Sequence, residues 1–167
     1  FIYQTSWIVN GTFSINSYNI IYMVDNDVFK TETQEYNSRI NPPTVFPLKQ
    51  GFLFGWGEYP ETVPAHDVTI EGIYTEDTYE YVDLGLPSGL LWATKNVGAA
   101  RPEDYGYYFS WGETILKESY YWGTYSYCNG TENTLTKYCF SPEFGEVDNK
   151  YTLDETDDAA ITNWGKP

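Results

Sequence analysis

Apolar residues gather, or alternate with polar ones, in four stretches of the first half of the chain. YNIIYMV at 18–24 places apolar side chains at every second position, the pattern of a strand half buried on a sheet. VFKTETQEY at 28–36 follows with a polar outer face, and Asp25-Asn26-Asp27 between the two runs is turn chemistry, so the pair is predicted to form a hairpin. FLFGW at 52–56 predicts a third, apolar strand, with Trp56 in the core, and VTIEGIY at 68–74 predicts a fourth. The intervening NPPTVFP at 41–47 cannot be a central strand, because Pro42, Pro43 and Pro47 have no N–H to give a ladder; it reads as a crossover. Four short strands of this kind predict a small mixed sheet with a thin core, suited to stacking in series with similar units.

An internal echo supports that arrangement. SWIVNGTFSINSY at 6–18 aligns without gaps on DVTIEGIYTEDTY at 67–79, so that Val9, Gly11, Phe13 and Tyr18 fall on Ile70, Gly72, Tyr74 and Tyr79. One structural unit is therefore expected to end near Ile15 and a second near Thr75. Residues 1–17 read as the last strand of a preceding repeat, 18–77 as one complete repeat, and 78–167 as a different domain, with the boundary in the acidic stretch at 76–80.

Beyond Tyr79 the strand alternation weakens and glycine and aromatic residues become denser. YVDLGLPSGLLWATKNVGA at 81–99 combines a Pro-Ser-Gly turn at 87–89 with Leu90, Leu91, Trp92 and Ala93, an apolar run expected to be buried. YGYYFSWGE at 105–113 and YYWGTYSYC at 120–128 interleave aromatics with small and polar residues. Asp157-Asp158 before Ala159-Ala160 reads as the start of a short helix, where carboxylates satisfy free N–H groups. Long amphipathic helices are absent from the pattern, so the expected class is mainly β, or α+β.

Composition narrows the partners. Among 167 residues, 24 are acidic and 9 basic, a formal net charge of −15, which disfavours binding to nucleic acid or anionic lipid. No apolar run approaches the roughly 20 residues of a membrane-spanning helix, so no membrane insertion is expected. The chain opens on Phe1 and is read as an internal piece of something longer. A single histidine, His66, and two cysteines, Cys128 and Cys139, leave no material for a zinc cluster or a histidine-centred triad. No catalytic residue, metal ligand or cofactor is assigned, and the chain is not expected to be an enzyme.

What remains is the aromatic content, 17 Tyr, 9 Phe and 6 Trp. Trp111, Trp122, Tyr107, Tyr108, Tyr120 and Tyr121 can form a stacking platform for the C–H faces of sugars, with Glu113 accepting hydroxyl hydrogen bonds. From this set Trp111, Trp122, Tyr108, Tyr121 and Glu113 are the candidate ligand-binding residues. The competing reading makes the same rings core, since a sheet-rich domain with few Leu and Ile must fill its interior with something; Trp56 and Trp92 are assigned to core on that ground. Asp148, Asp154, Glu155, Asp157 and Asp158 are hard oxygen donors suited to calcium, but their spacing matches no EF-hand loop. Glu103 with Glu113 is one of many carboxylate pairs that a glycosidase would need at a suitable separation. Cys128 and Cys139 bracket a turn-rich loop whose closure would stabilise the fold by about 2 to 3 kcal/mol; a disulfide and two free thiols are both open. His66 reads as a surface turn residue.

Two family resemblances rest on these segments. KQGFLFGWGEYPETVPAHDVTIEGIY at 49–74 resembles the second half of the internalin B-type (Listeria and Bacteroides) repeat, with Gly51, Phe52, Phe54, Gly55, Trp56, Pro60, Pro64, Asp67, Val68 and Thr69 at that family's pattern positions, and 18–43 resembles its first half. LPSGLLWA at 86–93, YFSWGE at 108–113, the two Tyr-Cys pairs and DDAAITNWG at 157–165 resemble the opening half of the Fibrobacter succinogenes major paralogous domain. The first resemblance implies a small β-grasp-like module found in tandem on bacterial surface proteins. The second implies an incomplete C-type-lectin-like α+β domain of exported Bacteroidetes proteins. Together they imply a noncatalytic, extracellular or cell-surface bacterial protein in which a spacer repeat presents a domain for adhesion or carbohydrate binding, its partner an extracellular glycan or a host or surface protein. A purely structural stalk predicts sealed tryptophans; a glycan-active enzyme predicts two facing carboxylates in a cleft. Exposure of Trp111 and Trp122 along one groove separates binding from scaffold.

Overall fold

A computed structural model describes residues 11–165. The protein is mainly β, with strands β1 (Ser17–Val24), β2 (Asp27–Glu35), β3 (Phe52–Trp56), β4 (Val68–Glu76), β5 (Tyr81–Asp83) and β6 (Leu91–Ala93), single 3-10 turns at Trp122–Thr124 and Glu155–Asp157, and one short helix, α1 (Ala159–Trp164). The order in the larger sheet is β2-β1-β4-β3, and β5 and β6 form a separate pair. The four strands predicted in the first half of the chain are all present, within a residue or two at each end. The chain divides into two compact units, one made of residues up to Pro42 with Trp56–Gly72, the other of Pro43–Gly55 with residues from Ile73 on. Of the segment read as the end of a preceding repeat, residues 1–10 lie outside the described residues. Gly11–Asn16 carry no regular structure, and Phe13 is exposed.

In the first unit β1 and β2 pair antiparallel around a tight turn at Asp25 and Asn26, whose φ values of 50° and 68° lie in the left-handed region that a two-residue hairpin requires. Asp and Asn tolerate that region better than most residues. β1 also pairs with β4 in parallel, Ile20 opposite Val68 and Tyr22 opposite Ile70, so alternate residues of both strands face one side. Those residues, with Ile40 from the β2–β3 connection and Val63 from the β3–β4 connection, make the buried core. Ile40 N–H donates to the Glu61 carbonyl (3.0 Å) and Val63 N–H to that of Ser38 (2.9 Å), which holds the chain on either side of the crossover. Trp56 packs edge-on against Tyr22, ring centroids 5.1 Å apart. Parallel register is fixed at its start by Asp67, whose carboxylate accepts from the Asn19 backbone N–H (2.8 Å) and side-chain amide (3.2 Å). These hydrogen bonds, the backbone one foremost, hold the Asp67 carboxyl below its usual range.

Beyond the parts of β3 and β4 that it contains, the second unit has little sheet. β5 and β6 are joined through a turn at 87–89 closed by Gly89 N–H to the Leu86 carbonyl (2.9 Å), as the Pro-Ser-Gly triplet predicts. Burial of Leu90, Leu91 and Trp92 is not found: they are 64%, 51% and 56% exposed. A pair of three-residue strands has no second layer of its own, and apolar character leads to burial only where such a layer exists. Elsewhere Phe46 stacks on Phe54 at 4.2 Å and meets Tyr107 edge-on at 5.7 Å, and the Tyr107 hydroxyl accepts from the Phe54 N–H. Asp158 caps α1, accepting from Ala160 and Ile161 N–H groups, and Gly51 N–H satisfies the Asn163 carbonyl at its far end.

With few aliphatic side chains inside, this unit is organised by buried ion pairs. Asp77 takes Lys95 (2.5 Å) and the Trp164 indole N–H (2.9 Å); Glu113 takes Lys117; Asp157 takes Lys137. Asp77, Glu113 and Asp157 are all buried. Such pairs hold only where further hydrogen bonds satisfy the remaining oxygen sites, a condition that fixes the loops supplying the donors.

Candidate functional site

Two irregular segments of the second unit, around Trp111 and Trp122, are brought together by Glu113. Its carboxylate accepts Lys117 Nζ (2.5 Å), the Ser126 backbone N–H (2.8 Å) and the Ser126 hydroxyl (2.5 Å). Lys117 Nζ also donates to the Thr124 carbonyl, closing the ring of contacts on the 3-10 turn at Trp122–Thr124. Burial pushes the Glu113 carboxyl up, but hydrogen bonds from Lys117, Ser110 and Ser126 outweigh it and hold the group at about 2.

The rings above this anchor are fixed through their hydroxyls. Tyr125 donates to the Trp111 carbonyl (2.9 Å) and Tyr120 to that of Tyr108 (2.5 Å). Tyr138 donates to Asp157 (2.6 Å) and accepts from the Asp154 N–H (3.0 Å), while Lys137 Nζ lies 5.0 Å from its ring centre. Burial, then the negative charge of Glu113, pushes the Tyr125 phenol up to about 12, so it stays protonated as a donor at physiological pH. Gly112, next to Trp111, has φ of 76°, and a Cβ there would come within 2.8 Å of the Tyr138 ring. Gly112→Ala is therefore expected to destabilise the unit by about 2 kcal/mol, read as a lower midpoint in chemical denaturation.

These rings enclose an open groove of about 550 Å³, in the size range of small-molecule sites. Trp111, Tyr121 and Trp122, all predicted from the sequence, line it together with Tyr120. Trp111 is 59% and Trp122 45% exposed. Tyr108 is exposed but does not line the groove; it contributes its backbone carbonyl to Tyr120. Glu113 lies beneath the surface with both oxygens engaged, so its place is structural support. Tyr107 of the wider platform packs with Phe46 instead. Ser110, Tyr125, Leu135 and Tyr138 complete the lining and were not singled out by sequence reasoning as ligand-facing. The dense tyrosines of 120–128 were a signal for Tyr125; nothing local marks Leu135 or Tyr138, which reach the groove only through loop closure.

The acidic residues read as calcium donors have individual protein partners. Asp148 accepts from the backbone N–H groups of Tyr138, Cys139 and Lys150; Asp154 pairs with Lys137 and Lys150; Asp157 is buried on Lys137 and Tyr138; Asp158 is the helix cap. Helix capping predicted for Asp157 and Asp158 thus falls to Asp158 alone. Glu103 is exposed beside Arg101, a setting quite unlike that of Glu113. Cys128 and Cys139 are free thiols, donating to the carbonyls of Trp122 and Ser141. His66 is exposed in its loop, hydrogen-bonded to the Asp67 carbonyl oxygen (2.8 Å).

Comparison with known proteins finds no matching family model and no matching curated relative.

Proposed function

We propose that this chain is part of a noncatalytic bacterial cell-surface or secreted protein, in which a β-grasp-like repeat of the internalin B type serves as spacer and a C-type-lectin-like domain resembling the Fibrobacter succinogenes major paralogous domain recognises extracellular glycan. The observation that carries the reading is the exposure of Trp111 and Trp122 along one groove. A scaffold would gain most by sealing both indoles, because each large ring contributes its apolar area to stability only when covered. Flat rings held rigid at a surface suit the C–H faces of pyranoses, and their low side-chain entropy reduces the cost of binding. Engagement of Glu113 by Lys117 and Ser126 favours recognition over turnover, since a carboxylate locked at about 2 is a poor proton donor at neutral pH.

The test is a glycan array of bacterial, plant and host oligosaccharides with the wild-type chain and with Trp111→Ala and Trp122→Ala, followed by calorimetry on the positives. Each substitution is expected to weaken binding by about tenfold or more while circular dichroism and melting stay near wild type. Hits bound equally well by both variants, or no hits with the folded wild-type chain, would reject the reading.

A further inference from the structure

We infer that the groove selects uncharged sugars and discriminates against anionic ones, an inference that rests on reading it as a glycan site. Trp111, Tyr121, Trp122 and Tyr125 give it apolar walls, and none of its lining residues carries a formal charge at neutral pH. Among the described residues, the lysines bonded to the groove's surroundings, Lys117 and Lys137, are taken up by protein partners. Lys117 is 12% exposed and saturated by Glu113 and the Thr124 carbonyl, and Lys137 is held between Asp154 and Asp157. A uronate or sulfate entering the groove would give up hydration without gaining a counter-charge. It would also approach a chain of net charge −15. Cationic sugars gain no ion pair either, because Glu113 is buried and fully engaged.

The polar atoms left over match a neutral polyol. The Tyr125 hydroxyl donates to the Trp111 carbonyl and keeps its own oxygen as an acceptor for a sugar hydroxyl, whereas those of Tyr120 and Tyr138 both donate and accept within the chain. Among the described residues no hydrogen bond ties the indole N–H of Trp111 or Trp122 to the chain, so both are donors for hydroxyl, ring or acetamido oxygens. Donors, acceptors and ring faces are thus all neutral, and selectivity follows from the absence of any compensating charge.

The experiment titrates the full chain with cellohexaose, mannohexaose and N-acetylated chitohexaose as neutral probes, hexagalacturonate and a heparin hexasaccharide as anionic probes, and a chitosan hexamer as the cationic one. Tryptophan fluorescence and calorimetry are followed at low and at physiological salt. At least one neutral probe is expected to saturate, about tenfold tighter than any charged probe, with little salt dependence and with loss of binding in Trp111→Ala. Tighter binding of a charged probe would overturn the selectivity while leaving sugar recognition standing. Absence of binding by every probe would overturn both, and neutral binding that survives Trp111→Ala and Trp122→Ala would remove the groove as its location.

Discussion

Glu113→Ala is expected to lower the unfolding free energy of the second unit by about 3 to 5 kcal/mol, the range for removing one partner of a buried ion pair. The loss is large because the substitution leaves Lys117, 12% exposed, without its counter-charge and strips the Ser126 N–H and hydroxyl of their acceptor. It also releases the segments that carry Trp111 and Trp122, so groove binding should fall with stability. Denaturant titration followed by tryptophan emission measures the first, and ligand titration below the midpoint the second. An effect under about 1 kcal/mol, the scale of a surface pair, would show that Glu113 is not an organising residue. Acid adds a second signature. The Glu113 carboxyl lies at about 2 in the folded protein against an ordinary 4.5, so its contribution is complete above about 4.5 and disappears as pH falls through about 2. Asp157 is shifted the same way, by hydrogen bonds from Lys137 first and Tyr138 second, and steepens the same acid limb. In Glu113→Ala that limb should be shallower than in the wild type.

Trp56→Ala is the corresponding change in the first unit, with an expected cost of about 3 kcal/mol, the lower end for large aromatic truncations because Trp56 is only half buried. Its ring covers Tyr22 edge-on and lies 6.1 Å from Phe29, so truncation opens the side of the Ile20, Tyr22 and Ile70 core. Hydrogen exchange localises the effect: amides of β1 and β4 should lose protection while those around α1 keep theirs. Unchanged protection in β1 would mean that Trp56 decorates the sheet instead of completing its core.

Legibility differed between the two units for a physical reason. In the first, and in the parts of β3 and β4 that belong to the second, the strands follow from alternation or from an apolar run, the Asp25-Asn26 turn from its residue types, and the crossover from its prolines. These signals are local, and the sheet preserves them because its register is local too. In the second, structure depends on side chains reaching across loops: Lys137 to Asp157, Tyr125 to Trp111, Ser126 to Glu113. No periodicity encodes such closures. Sequence reasoning could therefore gather Trp111, Tyr121 and Trp122 as flat rings suited to stacking or to a core, yet placed Glu113 as a ligand contact when its oxygens face inward to Lys117. The same limitation accounts for Leu90, Leu91 and Trp92, whose apolar character was readable and whose lack of a covering layer was not.

The placement of the lysine–carboxylate pairs inside the second unit gives ionic strength an uneven hold on this chain. Mobile ions weaken interactions between groups they can surround, and Lys95 and Asp77, at 7% and 4% side-chain exposure, are not among them. What salt does reach is the mutual repulsion of a surface carrying a large surplus of acids, which it relieves. Brine and dilute buffer therefore leave the Lys95–Asp77 pair alike, while added electrolyte eases the crowding of acids outside it.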